Sequence, residues 1–247
     1  MQPLLRADRK TLIVAIDHGL VFGNIAGLEN PYAVLEQLIA AGVDGTLVSP
    51  GLARLYGARC QEADFPYALT TDVQLWGNRP GSPEGIVAAD TICSVQRARD
   101  LGASAAKMLF MFGLDGRIVA DNIAIAAKAI EEAHTVGLPV MLEPLWFGAT
   151  LPADELDAVI VHGARIAVEL GADILKVPAV SPTAVEAMAV WGRPIVLLGG
   201  AKQDDPSALI GQISAGLKAG ATGVVIGRNV WQHPEMASVI GTIQAAL

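Results

Sequence analysis

Asp17, Asp72, Lys107, Glu143, Lys176, Lys202 and Arg228 all fall within or just after short apolar runs. Such a set can do carbonyl chemistry. Burial and nearby cations lower a lysine pKa, and the free amine can then attack a ketone or aldehyde. Lys176, inside Ala172-Asp173-Ile174-Leu175-Lys176-Val177-Pro178, is the sharpest candidate, since lysine is rarely buried unless paired or functional. The plainer alternative is a side chain reaching from a strand end to solvent. Lys107, in Ala105-Ala106-Lys107-Met108-Leu109, would depress Lys176, protonate a leaving oxygen, or only pair with Glu143 or Asp17. Glu143, before Pro144, could shuttle protons beside an iminium or merely partner Lys107. Asp17 could orient substrate hydroxyls or the amine. His18 and Trp146 are expected in the pocket wall, although strand alternation would aim His18 away from Asp17. Trp76, Phe110, Phe112 and Phe147 either help wall the pocket or are ordinary core.

Two glycine turns suit an anion. Gly199-Gly200-Ala201-Lys202 and Gly227-Arg228-Asn229 let backbone N–H groups approach a phosphate or sulfonate, with Lys202 and Arg228 adding charge. Turn geometry alone is the alternative. His134, His162 and His233 read as structural or exposed. No His, Cys and Asp cluster has metal-ligand spacing, so no metal is expected.

These residues must be held by a repeating scaffold. Eight apolar runs can be counted: Thr11–Ile16, Gly45–Val48, Tyr67–Thr70, Ala105–Leu109, Pro139–Leu142, Asp173–Val177, Ile195–Leu198 and Gly223–Ile226. Runs without polar alternation fit strands buried on both faces. Segments between them, such as Asn122–Val136 and Asp154–Leu170, carry Ala, Ile and Val at helical spacing. Ala41-Gly42, Gly102-Ala103, Gly171-Ala172 and Ala219-Gly220 each precede a run, where glycine ends a helix cheaply in the left-handed region. Strand and helix alternating eight times predict an α/β fold, a closed (β/α)₈ TIM barrel over residues 1–247 as a single domain. An open doubly wound sheet would want a dinucleotide loop, which Asp17-His18-Gly19-Leu20 is not. Barrel active sites lie at the C-terminal ends of the strands, and phosphate sites often follow strands seven and eight, where the two glycine turns fall.

The 247-residue length suits one such barrel, and 52% hydrophobic content against 17% charged allows a large core. A net charge of −8 argues against nucleic acid or an anionic membrane as partner, but not against a small phosphorylated substrate. No apolar run approaches membrane-spanning length. The short, charged stretch Met1 to Lys10 lacks a signal-peptide pattern, so a cytoplasmic protein is expected. Cys60 and Cys93 read as buried free thiols.

Four motifs, in order along nearly the whole chain, resemble the archaeal-type class I aldolases. They are Ile16-Asp17-His18-Gly19, Ala172 to Pro178 with Lys176, Gly199-Gly200-Ala201-Lys202, and Val225-Ile226-Gly227-Arg228-Asn229-Val230-Trp231-Gln232-His233. The superfamily includes tagatose-bisphosphate and sulfofructose-phosphate aldolases, the aminodideoxyheptulosonate synthase and the autoinducer-2 thiolase. The resemblance implies Lys176 as Schiff-base lysine and Asp17 near the substrate. It also implies a phosphate held by Gly200, Lys202, Gly227 and Arg228. Lys107 before an apolar run resembles the tagatose and sulfofructose branch. The fructose-bisphosphate aldolases carry a tyrosine acid/base in a Tyr-Pro-Arg-Gly turn. Here that turn reads Glu143-Pro144-Leu145-Trp146-Phe147-Gly148, and the only tyrosines are Tyr32, Tyr56 and Tyr67. The proton shuttle must therefore differ, with Glu143 or Lys107 as candidate. Leu20-Val21-Phe22-Gly23 suggests a less polar or smaller substrate end.

The expectation is an aldolase acting on a phosphorylated ketose without metal or organic cofactor, in a homo-oligomer as relatives usually are. Rivals are a thiolase- or transaldolase-like transfer on the same scaffold, a non-catalytic sugar-phosphate-binding barrel, and a phosphate-binding isomerase without a Schiff base.

Overall fold

The computed structural model describes residues 2–77, 85–203 and 206–247. Ten strands are present among them: β1 (Thr11–Ala15), β2 (Gly45–Val48), β3 (Tyr67–Thr70), β4 (Asp72–Trp76), β5 (Ile86–Thr91), β6 (Ala105–Phe112), β7 (Val140–Trp146), β8 (Ile174–Val177), β9 (Ile195–Leu198) and β10 (Gly223–Ile226). Eight of them close a parallel barrel in the order β1-β10-β9-β8-β7-β6-β3-β2. These are the eight apolar runs, so the (β/α)₈ barrel expected from sequence is the architecture observed. The two long helices read from sequence span Gly116–Val136 and Ala153–Leu170. Gly42, Gly102, Gly171 and Gly220 all have positive φ, as the helix-ending role requires.

Strand alternation sorts the core into two parts. Ile13, Ala15, Leu47, Ala68, Ala105, Met141, Ile174, Val196 and Val225 fill the barrel, with Leu4 packed among them. The intervening residues, Leu12, Val14, Leu69, Ala106, Leu142, Leu175 and Leu197 among them, pack under the helices. Each large aliphatic side chain so buried contributes roughly 1.5–3 kcal/mol. The inward set continues upward as Asp17, Thr70, Lys107, Glu143 and Lys176. A two-residue period thus carries the barrel lining from apolar to charged at its C-terminal end.

The apolar-run criterion misses β4 and β5. They form an antiparallel hairpin between β3 and β6, pairing Asp72 with Thr91 and Gln74 with Ala89. Their residues mix polar and apolar types and lie partly in solvent, with Leu75 and Val87 exposed. The hairpin is anchored at its base, where Thr71 N–H donates to Lys107 O (3.0 Å) and Ile92 N–H donates to Thr71 O (2.8 Å). Among the described residues no helix is long and apolar enough to cross a membrane, and Cys60 and Cys93 are buried and free.

Candidate active site

Barrel register brings the charged residues together. Met141 pairs with Ile174 and Leu142 with Leu175, and the next step sets Glu143 beside Lys176. Thr70 pairs with Lys107 on the other side. Glu143 consequently bridges two ammonium groups: Lys107 Nζ lies 2.8 Å from Oε2 and Lys176 Nζ lies 2.9 Å from Oε1. All three are at least nine-tenths buried. Asp17 Oδ2 accepts a hydrogen bond from the Thr70 hydroxyl at 2.6 Å. These residues line a cavity of about 130 Å³ with His18, Leu20, Val21, Phe22, Asp72, Gln74 and Leu109. That volume accommodates the reacting carbons of a small carbonyl compound. A larger cavity of about 580 Å³ opens at the other end of the barrel, beside Tyr67 and Ser104, and no lysine lines it.

The electrostatics differ residue by residue. Burial lowers the Lys176 pKa and Lys107 adds repulsion, together outweighing the pull of Glu143 and Asp17. Burial disfavours the Lys107 ammonium too, but Glu143, Asp17 and Asp72 outweigh it and hold that pKa above the ordinary lysine value. Burial works against the Glu143 carboxylate, yet Lys107 and Lys176 keep its pKa lowered. Asp17 is brought down to about 2: burial opposes ionisation, but Lys107, His18, Lys176 and the Thr70 hydroxyl prevail. Asp72 moves the opposite way, to about 6, because burial dominates over Lys107 and the Leu109 N–H. Burial lowers the His18 pKa, assisted by Lys176 and Arg228 against Asp17. One site therefore holds an ammonium, an amine biased toward neutrality, and carboxylates of contrasting basicity.

Two pocket expectations change. Trp146 is not among the cavity's lining residues. It is three residues beyond Glu143 on β7, so alternation turns it outward, where it packs against Gly113 and Gly148 and donates from Nε1 to Ala149 O (2.8 Å). Trp76 and Phe147 meet edge to face at 6.0 Å, and Phe110 and Phe112 at 5.0 Å, so these rings pack on one another beyond the lining. His18 does not point away from Asp17. The chain turns helical at His18 (φ −59°, ψ −23°), so strand alternation has ended there. Its ring lines the cavity, with Nδ1 3.5 Å from Asp17 Oδ1, and meets Trp231 edge to face at 5.2 Å.

The glycine turns stand beside the cavity, outside its lining. A Cβ on Gly227 would lie 2.5 Å from His18 Cε1, and one on Gly199 would lie 2.9 Å from the Ile226 side chain. Gly200 has φ +67°. Lys202 is exposed, whereas Arg228 is half-buried, with Nε buried without a partner and its guanidinium 5.8 Å from the Phe22 ring centre. Asn229 ties the turns together. Its amide donates to Gly199 O (2.8 Å) and Ala201 O (3.0 Å) and accepts from Gln203 N–H (2.8 Å). Sequence reasoning passed over Asn229, although its place directly after Gly227-Arg228 was the available signal. Asn122 was also missed. From the helix Gly116–Val136 it accepts from Met111 N–H (2.8 Å) and donates to Leu109 O (3.1 Å), fixing the end of β6 above Lys107. Among the described residues no group of three or more His, Cys, Asp or Glu is placed to hold a metal ion.

A parallel barrel with paired buried lysines at its C-terminal mouth has the equipment of an enzyme of the carbonyl-transforming kind. The chain belongs to the DeoC/LacD family of aldolases, whose model matches residues 11–233. An uncharacterized aldolase of Saccharolobus solfataricus is 31% identical over 234 residues, covering 92% of this chain and 85% of that protein. The class 1 fructose-bisphosphate aldolase of Thermoproteus tenax is 28% identical over 236 residues, covering 91% and 84%. A solved structure of a Schiff-base-forming fructose-1,6-bisphosphate aldolase superposes with a TM-score of 0.83 at 25% identity, covering 98% of this chain and 96% of that one. The expectation of a Schiff-base-forming aldolase of this superfamily is thus borne out at the level of enzyme class.

Proposed function

We propose that Lys176 forms the Schiff base and that the substrate is a phosphorylated ketose or related sugar phosphate. The observation that carries this reading is the buried Lys107–Glu143–Lys176 bridge, with ion pairs of 2.8 and 2.9 Å. Of the two lysines, Lys176 is the one whose pKa burial and its neighbour lower, so it supplies the amine. Glu143 takes the proton that Lys176 must lose before attack and returns it to the carbinolamine oxygen, which leaves as water. Lys107 stays charged and faces the developing oxyanion. In the cleavage direction the C–C bonding electrons flow into the iminium, an aldehyde departs and an enamine remains. Arg228, Lys202 and the backbone at Gly199, Gly200 and Gly227 hold the phosphate, which positions the carbonyl against the amine. Leu20, Val21 and Phe22 supply the apolar wall.

Borohydride reduction after incubation with dihydroxyacetone phosphate tests this. A ligand-sized mass increase on the peptide containing Lys176, absent from Lys176→Met, is expected. An adduct on Lys107 would reverse the lysine roles. Retention of substantial turnover by Lys176→Met would reject Schiff-base chemistry at this residue.

A further inference from the structure

The chain carries no tyrosine after β7, so hydroxyl deprotonation and enamine protonation need another group. Three carboxylates line the cavity, and their oxygens are differently committed. Both oxygens of Glu143 are ion-paired, one with each lysine, although Oε2 lacks hydrogen-bond geometry at its 2.8 Å contact. Asp17 gives Oδ2 to the Thr70 hydroxyl and sets Oδ1 3.5 Å from His18. Asp72 is 2% exposed and continues the inward alternation of Ala68 and Thr70 at the first position of the hairpin. Its Oδ2 accepts from Leu109 N–H (3.0 Å) and from the Gln74 amide (2.8 Å), which fixes the carboxyl plane. Its Oδ1 is buried with no partner. A buried polar atom without a partner calls for an explanation, and here it belongs to a rigidly held group lining the reaction cavity.

We propose that Asp72 is the general acid–base of carbon–carbon cleavage. This rests on the Schiff-base reading above. Asp72 as carboxylate accepts the proton of the hydroxyl on the departing carbon. The O–H electron pair forms the aldehyde C=O, the C–C pair moves into the C=C of the enamine, and the iminium nitrogen receives its π pair. Asp72, now a carboxylic acid, returns the proton to the enamine carbon, the iminium reforms, and water hydrolyses it to release the ketone and Lys176. The titratable groups facing Asp72 are Lys107 from β6, Glu143 from β7, Lys176 from β8, and Asp17 and His18 after β1. Its raised pKa supports the assignment, since it allows the carboxyl to cycle between acid and base close to neutral pH, where Asp17 stays ionised.

Exchange of the C3 protons of dihydroxyacetone phosphate with D₂O isolates this step, because it needs only the iminium, the enamine and the shuttle. Asp72→Asn keeps an oxygen for both hydrogen bonds and loses only the acid–base function. It is expected to retain borohydride-trapped ligand on Lys176 while exchange falls by ~10²-fold or more and its dependence on a group titrating near pH 6 disappears. Wild-type exchange and pH profile in Asp72→Asn would overturn the proposal. No trapped adduct on Lys176 in the wild-type protein would instead bring down the Schiff-base reading and this inference with it. Should Asp72→Asn not fold, Asp72→Ala with added formate replaces it. Restoration of exchange by formate supports the role, and indifference to formate overturns it.

Discussion

Replacing Asp72 with asparagine should make this protein progressively more stable relative to wild type as pH rises from acid to alkaline. The carboxyl is raised from its ordinary 3.8 to about 6 by burial. A raised carboxyl binds its proton more tightly in the folded chain than in the unfolded one. Its favourable contribution is complete below pH 3.8 and is lost as pH rises through 6. At about 1.4 kcal/mol per pH unit this difference amounts to ~3 kcal/mol. Asparagine does not titrate. It keeps an acceptor for Leu109 N–H and the Gln74 amide, and it places an amide where Oδ1 lacks a partner. That amide costs about 1–3 kcal/mol if left unpaired, but this offset does not change with pH. The stability of Asp72→Asn minus that of wild type should therefore climb by ~2.5 kcal/mol between pH 4 and pH 8. For a chain of this size that is on the order of 10 °C in Tm. Thermal or urea melts of both proteins across this range read the slope directly. A difference that is flat, or that falls with rising pH, would show that Lys107 holds Asp72 as a stabilised anion, and the argument from burial would fail.

Glu143→Gln leaves Lys107 in a buried site without its 2.8 Å partner and should cost roughly 3–5 kcal/mol in a melt. The same change removes the attraction that raises the Lys176 pKa, so the pH at which Schiff-base trapping rises should move lower; an upward move would contradict the bridge. Asn229→Ala breaks three hydrogen bonds joining the glycine turns and should cost about 2–4 kcal/mol. It should also raise the ligand concentration needed for half-maximal trapping of dihydroxyacetone phosphate while leaving the trapped peptide unchanged. Unaltered concentration dependence would separate those turns from the phosphate.

The barrel was legible because parallel strands are buried on both faces and so spell continuous apolar runs. Lys107, Glu143 and Lys176 were legible for the converse reason: each interrupts or ends such a run. What the linear reading lacked was parity and partnership. Trp146 shares the strand of Glu143 but is an odd number of residues away, and that alone removes it from the barrel interior. His18 defeated the same rule from the other side, since the strand had already ended. Asp72 stands just after an apolar run in the sequence, but its weight depends on Leu109 and on an oxygen left unpaired, neither visible along the chain. The β4–β5 hairpin that carries Asp72 had no continuous apolar run to announce it.

Charge accounting links five site residues, Asp17, Asp72, Lys107, Glu143 and Lys176, to the proposed reaction. With Lys107 charged and Glu143 and Asp17 ionised, a positive charge at the Lys176 nitrogen has carboxylates to balance it, even though burial and Lys107 bias the free amine toward neutrality. The ammonium and the protonated Schiff base both supply one at the same nitrogen, so forming the iminium introduces no new buried charge. Carbon–carbon cleavage then neutralises that nitrogen as the enamine forms. If the hydroxyl proton moves at the same time to an ionised Asp72, one negative charge disappears together with the positive one. The net charge within the barrel stays constant through cleavage, and it stays constant again when Asp72 reprotonates the enamine. In a site this dry, an uncompensated charge is the costly event. In the proposed reaction a carboxyl that burial keeps ready to gain or lose a proton near neutrality prevents it, whereas Glu143 exchanges its proton with its own partner Lys176 during Schiff-base formation and would have to turn from both lysines to take one from the substrate.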